Sequence, residues 1–172
     1  MFVLLNHLRR VRREIASPRP DWRGSLALRH VDAGSCNGCE HELTAAANPF
    51  YDLAQFGLGI VASPRHADVL LVTGAITTRM VPALQAAYQA MPEPRLVAAL
   101  GDCALGRNLL GAPDELAGPL ENIVTVDLRI GGCPPTPAAI AAALIAALDE
   151  LRGGAPTAPS QSQGTARGAA TS

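Results

Sequence analysis

Four cysteines, Cys36, Cys39, Cys103 and Cys133, are the scarce chemical resource of this chain. Cys36-Asn37-Gly38-Cys39 places two thiols two residues apart, so both sulfurs can face one metal centre. Gly38 permits the tight turn and close backbone approach that such a pair needs. Cys103 and Cys133 stand alone, with 63 residues between Cys39 and Cys103 and 29 between Cys103 and Cys133. A structural zinc site more usually presents a second Cys-x-x-Cys pair. Iron–sulfur ferredoxins close their binding run with a cysteine followed by proline, a detail that Cys133-Pro134 repeats. Three readings stay open on the residues alone: a 4Fe–4S cluster on all four thiols, a zinc site, or a redox pair at Cys36 and Cys39. The redox pair leaves Cys103 and Cys133 without a role. Backbone N–H groups of Gly34, Gly38, Gly101, Gly131 and Gly132 are candidates to reach cluster sulfurs and tune the potential.

The elements that must position these thiols can be read from pattern. A first strand spans Leu26 to Asp32 and breaks at Gly34-Ser35, just before Cys36; Glu40 to Ala47 reads as a short helix stopped by Asn48-Pro49. Gly59 to Ser63 is a strand candidate, and Asp68 to Thr73 is the apolar run of a strand buried on both faces. Thr78 to Met91 reads as a helix, Arg95 to Leu100 as a strand, and Asn122 to Ile130 as the last strand. Pro137 opens the final helix, Ala138 to Leu151, at a position where a missing N–H costs little. Alternating strands and helices predict an α/β domain with a mainly parallel sheet, in which sites form beyond the carboxyl ends of the strands. Cys36, Cys103 and Cys133 each fall just past a predicted strand, and Cys39 lies one turn beyond Cys36. All four thiols are thereby expected on one rim.

The chain has 172 residues, 48% hydrophobic, 17% charged and 3% aromatic, so its core must be built from Ala, Val, Leu and Ile. Residues 25–152 are expected to form the domain that carries the cysteines. Residues 1–24 are expected to form a basic amphipathic segment, helical over residues 2–16. Residues 153–172, rich in Gly, Ala, Ser, Thr, Pro and Gln, read as a disordered tail. The net charge of −1 gives no whole-chain argument for nucleic-acid binding. It hides an asymmetry: residues 1–30 hold seven Arg against Glu14 and Asp21, whereas residues 31–130 hold five Arg against eleven acids. The basic head fits an acidic partner surface or anionic lipid headgroups, or simply a solvated helix. No signal-peptide charge order is visible and no run reaches the roughly 18 apolar residues of a spanning helix, so a cytosolic chain is expected. Reducing conditions there favour metal-binding over disulfide-bonded cysteines.

At these residues the chain resembles the 20 kDa subunit of respiratory complex I and the related small subunits of membrane-bound, energy-converting nickel–iron hydrogenases. The resemblance runs from about Val31 to Leu151. It is carried by Val31-Asp32-Ala33-Gly34-Ser35-Cys36-Asn37-Gly38-Cys39-Glu40, by Ser63-Pro64-Arg65-His66-Ala67-Asp68, by Thr73-Gly74, by Gly101-Asp102-Cys103, and by Gly132-Cys133-Pro134-Pro135-Thr136-Pro137. It implies a flavodoxin-like fold holding one 4Fe–4S cluster through Cys36, Cys39, Cys103 and Cys133. Complex I subunits usually carry two adjacent cysteines at the first motif, and the spaced pair here is similar to hydrogenase small subunits, those of formate hydrogenlyase-type complexes included.

The implied role is electron relay to or from the active site of a large catalytic subunit, nickel–iron hydrogenase or 49 kDa-like, within a complex that holds further iron–sulfur and membrane subunits. The chain would then sit in the cytoplasm, peripheral on the inner face of the cell membrane through its partners. The alternatives are a quinone-reducing complex I subunit proper and a zinc-stabilised interaction module without a redox role.

Glu40 reads either as a proton-relay carboxylate at the subunit junction or as a first-turn acid stabilised by the helix dipole. His41 and His66 are not needed as ligands once four thiols are present. Thr73 and Gly74 end a strand on the rim, where small residues leave room for a partner or cofactor. The family tends to have two glycines shortly after the third cysteine, and this chain has Gly106 followed by Arg107. The positive Arg107 would favour a reduced cluster and Asp102 would oppose it.

Overall fold

The computed structural model describes residues 25–107 and 113–151, and the expectations for the head and the tail lie outside that range. Five strands run parallel in the order β2-β1-β3-β4-β5: β1 Leu26–Asp32, β2 Leu58–Ile60, β3 Val69–Thr73, β4 Leu96–Leu100 and β5 Leu128–Ile130. Among the described residues three α-helices accompany them: α1 Gly38–Ala46, α2 Val81–Ala90 and α3 Pro137–Leu151. This strand order is the doubly wound, flavodoxin-like one, in which ligands bind beyond the carboxyl ends of the strands.

Every residue of β3 is buried, as its unbroken Val-Leu-Leu-Val run demands of a central strand covered on both faces. Its register places Thr73 opposite Asp32 on β1 and Leu100 on β4, so three strands end level at the same rim. On one face, Leu28, Leu71, Leu100 and Ile130 pack with Leu43 of α1 and Ile140, Leu144 and Leu148 of α3. On the other face, Leu70, Val72, Val97 and Ala99 pack with Ile76, Leu84 of α2, Met91 and Leu120. Each Leu or Ile fully buried in this way contributes about 1.5–3 kcal/mol.

Two strands, β2 and β5, are shorter than their patterns predict by more than one residue. Only Leu128–Ile130 of the expected 122–130 run joins the sheet, because Val124 and Val126 pack on the α2 side whereas Leu128 and Ile130 pack on the α3 side. A single strand would send all four to one face. The switch occurs at Asp127, whose N–H donates to the Val97 carbonyl at 2.9 Å while its carboxylate accepts the Val97 N–H at 2.8 Å. β2 stops at Ile60 because Ser63 and Pro64 start a 3-10 turn, with the Ser63 hydroxyl accepting the Arg65 N–H at 3.3 Å. The helix expected from Thr78 begins at Val81; the Thr78 N–H donates to the Glu115 carbonyl at 2.9 Å.

Candidate metal centre

Three strand ends and one helix start deliver the four thiols. Beyond β1, the Asp32 carboxylate accepts the N–H groups of Gly34 and Ser35, both at 2.8 Å, and turns the chain sharply. The Ser35 hydroxyl then accepts the Asn37 N–H at 3.1 Å, and Asn37 adopts a left-handed φ of 67° that launches α1. Cys36 lies in this loop and Cys39 in the first turn of α1, which starts two residues before the predicted Glu40. Cys103 follows β4 and Cys133 follows β5. Cys39 and Cys103 are buried, Cys36 and Cys133 are exposed, and all four are free thiols. The site is therefore half enclosed.

Gly101 sets how closely these pieces approach. Its φ is +89°, and a Cβ built on it would stand 2.5 Å from the Cys39 sulfur. The loop after β4 is thus laid directly against the α1 thiol, an approach only glycine allows. The loops after β4 and β5 are joined in turn: the Gly101 N–H donates to the Ile130 carbonyl at 2.7 Å, and the Asp102 N–H to the Gly132 carbonyl at 2.8 Å. The Asp102 carboxylate accepts the Gly132 N–H at 3.1 Å.

The two buried thiols feel the charges of other cysteines. Burial, Glu40, and then the charges of Cys103, Cys36 and Cys133 push the Cys39 thiol up to about 12. Burial likewise raises Cys103, followed by Cys133, Cys36 and Asp102, and a hydrogen bond with Cys133 adds to the rise. Four bare thiolates would repel one another here, and a cationic centre that takes all four would relieve that repulsion. Among the described residues, no group of three or more His, Cys, Asp or Glu side chains is arranged to hold a single metal ion. The donor set itself, four free thiols with none left over, fits a tetrathiolate iron–sulfur cluster.

Behind the thiols lies a polar chain that sequence reading misses. Glu40 Oε1 accepts the Thr73 hydroxyl, and the His30 Nε2 lies 2.8 Å from Thr73 Oγ1 and 3.5 Å from Glu40 Oε1. Thr73 is fully buried, and Glu40 Oε2 is buried with no partner. Burial pulls the His30 pKa below its ordinary 6.5, against the opposing pull of Glu40. Thr73 is therefore a hydrogen-bonding hub and not only a small residue leaving room. Thr73 lies 43 positions from His30 and 33 from Glu40; the β1–β3 pairing sets Thr73 beside β1, and the first turn of α1 brings Glu40 to it.

His41 and His66 are exposed. Of the five glycine N–H groups expected to be available to cluster sulfurs, those of Gly34, Gly101 and Gly132 are already bonded to Asp32, Ile130 and Asp102.

The family model described as NADH ubiquinone oxidoreductase, 20 Kd subunit, matches residues 36–147, a span that contains all four cysteines. The chain is 43% identical over 122 residues to the "Probable membrane-bound hydrogenase subunit mbhJ" of Pyrococcus furiosus, covering 71% of this chain and 73% of that one. It is 45% identical over 116 residues to formate hydrogenlyase subunit 7 of Escherichia coli, covering 67% of this chain and 45% of the relative. Among solved structures, a chain of the membrane-bound sulfane sulfur reductase, an archaeal respiratory membrane complex, superposes with a TM-score of 0.67 at 27% identity, covering 78% of this chain and 75% of that one. A chain of an NAD+-reducing [NiFe]-hydrogenase superposes with a TM-score of 0.58 at 21% identity, covering 79% and 96%, and shares the fold.

Proposed function

The chain belongs to the NADH ubiquinone oxidoreductase 20 kDa subunit family, and from that premise we propose that it is the iron–sulfur electron-transfer subunit of a membrane-bound hydrogenase or complex I-like oxidoreductase. The observation that carries this reading is the delivery of all four cysteines to one carboxyl rim of a parallel sheet. Cys36, Cys39, Cys103 and Cys133 would hold one 4Fe–4S cluster, which supplies one-electron redox chemistry when bound. Two relatives named for hydrogen chemistry, together with the spaced Cys36–Cys39 pair, favour a hydrogenase-type large subunit as partner over a quinone-reducing one.

In this reading each part of the chain has a defined task. The buried Cys39 and Cys103 anchor the inner side of the site, and the exposed Cys36 and Cys133 face the partner. Gly101 keeps the β4 loop close enough for Cys39 and Cys103 to serve one centre. Glu40 is the carboxylate placed to hold a proton beside the thiols: Thr73 occupies Oε1, and Oε2 has no partner. No helix among the described residues is long and apolar enough to cross a membrane.

The test is to purify the chain with the large subunit it assembles with and to assay hydrogen evolution against quinone reduction. Hydrogen evolution lost in Cys36→Ser, with the two subunits still associated, is the expected result. Full turnover in complexes whose small subunit lacks iron would overturn the relay. For Glu40, a Glu40→Gln complex with unaltered proton-coupled turnover would end its proton-holding role.

A further inference from the structure

The two solitary cysteines are not joined through their own side chains alone. Asp102, immediately before Cys103, makes a reciprocal pair of bonds with Gly132, immediately before Cys133. The Asp102 N–H donates to the Gly132 carbonyl at 2.8 Å, and the Gly132 N–H donates to Asp102 Oδ1 at 3.1 Å. One residue earlier, the Gly101 N–H donates to the Ile130 carbonyl at 2.7 Å. β5 has only three residues, and these bonds carry its pairing with β4 past the strand ends. On the far side of Cys103 the chain folds back. The Gly106 N–H donates to the Cys103 carbonyl at 3.0 Å and the Arg107 N–H to the Asp102 carbonyl at 2.9 Å. That turn returns the Arg107 guanidinium to 3.8 Å from Asp102 Oδ1, with the Arg107 side chain 70% exposed and that of Asp102 29%.

We propose that Asp102 is a positioning residue that straps the Cys103 loop to the Cys133 loop, and that Arg107 offsets its charge so that the strap does not penalise reduction of the site. The inference rests on the four-cysteine cluster reading and deepens it. A carboxylate is a strong acceptor for a backbone N–H, which makes it an effective strap. The same carboxylate places a negative charge next to a ligand and so disfavours an added electron. A guanidinium keeps its charge at any working pH and is carried here on a turn that starts from the Asp102 carbonyl. Position and charge of Asp102 are thus separable functions. Asparagine keeps the acceptor oxygen without the charge, and alanine removes both.

The experiment uses the full chain in its complex, with iron and acid-labile sulfide measured per chain and the midpoint potential read by EPR-monitored redox titration. Asp102→Asn is expected to keep its iron and raise the midpoint; Arg107→Gln is expected to keep its iron and lower it. Each shift corresponds to at most about a tenfold change in the reduced-to-oxidised ratio at fixed potential, about 59 mV for a one-electron couple. The double variant is expected to lie closer to the parent than either single variant. Asp102→Ala is expected to lose iron to a chelator several-fold faster than Asp102→Asn, at equal helix content by circular dichroism. Unmoved midpoints in both Asp102→Asn and Arg107→Gln would overturn the charge balance. Equal iron retention in Asp102→Ala and Asp102→Asn would overturn the strap. A parent complex without iron and sulfide on this chain would defeat the cluster reading itself, and this inference with it.

Discussion

Replacing Gly101 by alanine tests how the fold builds the site. The backbone there has φ +89°, a region that side chains of L-residues rarely adopt, and holding an alanine in left-handed geometry costs about 1–2 kcal/mol. The added Cβ would also stand 2.5 Å from the Cys39 sulfur, well inside contact distance. Cys39 sits in the first turn of α1, whose Leu43 and Ala46 are buried in the core, so the backbone beneath the sulfur is held. Relief must come from rotating the sulfur off the rim or shifting the β4 loop, and overpacking of this kind costs about 1–3 kcal/mol. Together these make about 2–5 kcal/mol, a large share of the roughly 5–15 kcal/mol that stabilises a domain. Either relief would also pull apart the proposed ligand set. Gly101→Ala should therefore lose most of its iron and unfold at lower denaturant than the parent. Gly59→Ala, where a Cβ meets nothing within 4 Å, should keep its iron and its stability. A Gly101→Ala chain with full iron content and an unchanged unfolding midpoint would refute this reasoning.

Three further outcomes follow from the same structure. Leu71→Ala, at the fully buried centre of β3, should cost about 2–5 kcal/mol in urea unfolding without changing the cysteine chemistry. Because burial lowers the His30 pKa in the folded state, the unfolded chain binds the proton more readily as pH falls below 6.5. His30 therefore favours folding above 6.5, an advantage lost as pH drops through the lowered folded value, and His30→Asn should flatten that part of the stability profile. In the cluster-free chain, mass spectrometry should find Cys36 and Cys133 alkylated before the buried Cys39 and Cys103, with labelling of Cys39 accelerating toward pH 12.

Much of this arrangement is legible in the residues. The unbroken apolar run of β3 and the glycines just beyond β1, β4 and β5 already point the cysteines to one rim. Periodicity fails where tertiary packing changes its meaning. Val124, Val126, Leu128 and Ile130 alternate as a strand would, yet the chain changes faces at Asp127, and no pattern of period two records that switch. The start of α1 is set by the left-handed Asn37, a conformation that the sequence Cys-Asn-Gly permits without requiring. The His30–Thr73–Glu40 chain and the Asp102–Gly132 strap depend on strand register. Thr73 lies 43 residues from His30 and 33 from Glu40, and Gly132 lies 30 from Asp102, so these partners carry no local signal of each other.

The central claim is that these four thiols hold one iron–sulfur cluster. Its most direct test is the metal and sulfide content of the anaerobically purified complex, resolved to this chain, together with the EPR spectrum of the dithionite-reduced sample. About four iron and about four acid-labile sulfide per chain are expected, lost on serine substitution at Cys36, Cys39, Cys103 or Cys133. One zinc per chain, with no sulfide and no reducible signal, would contradict it.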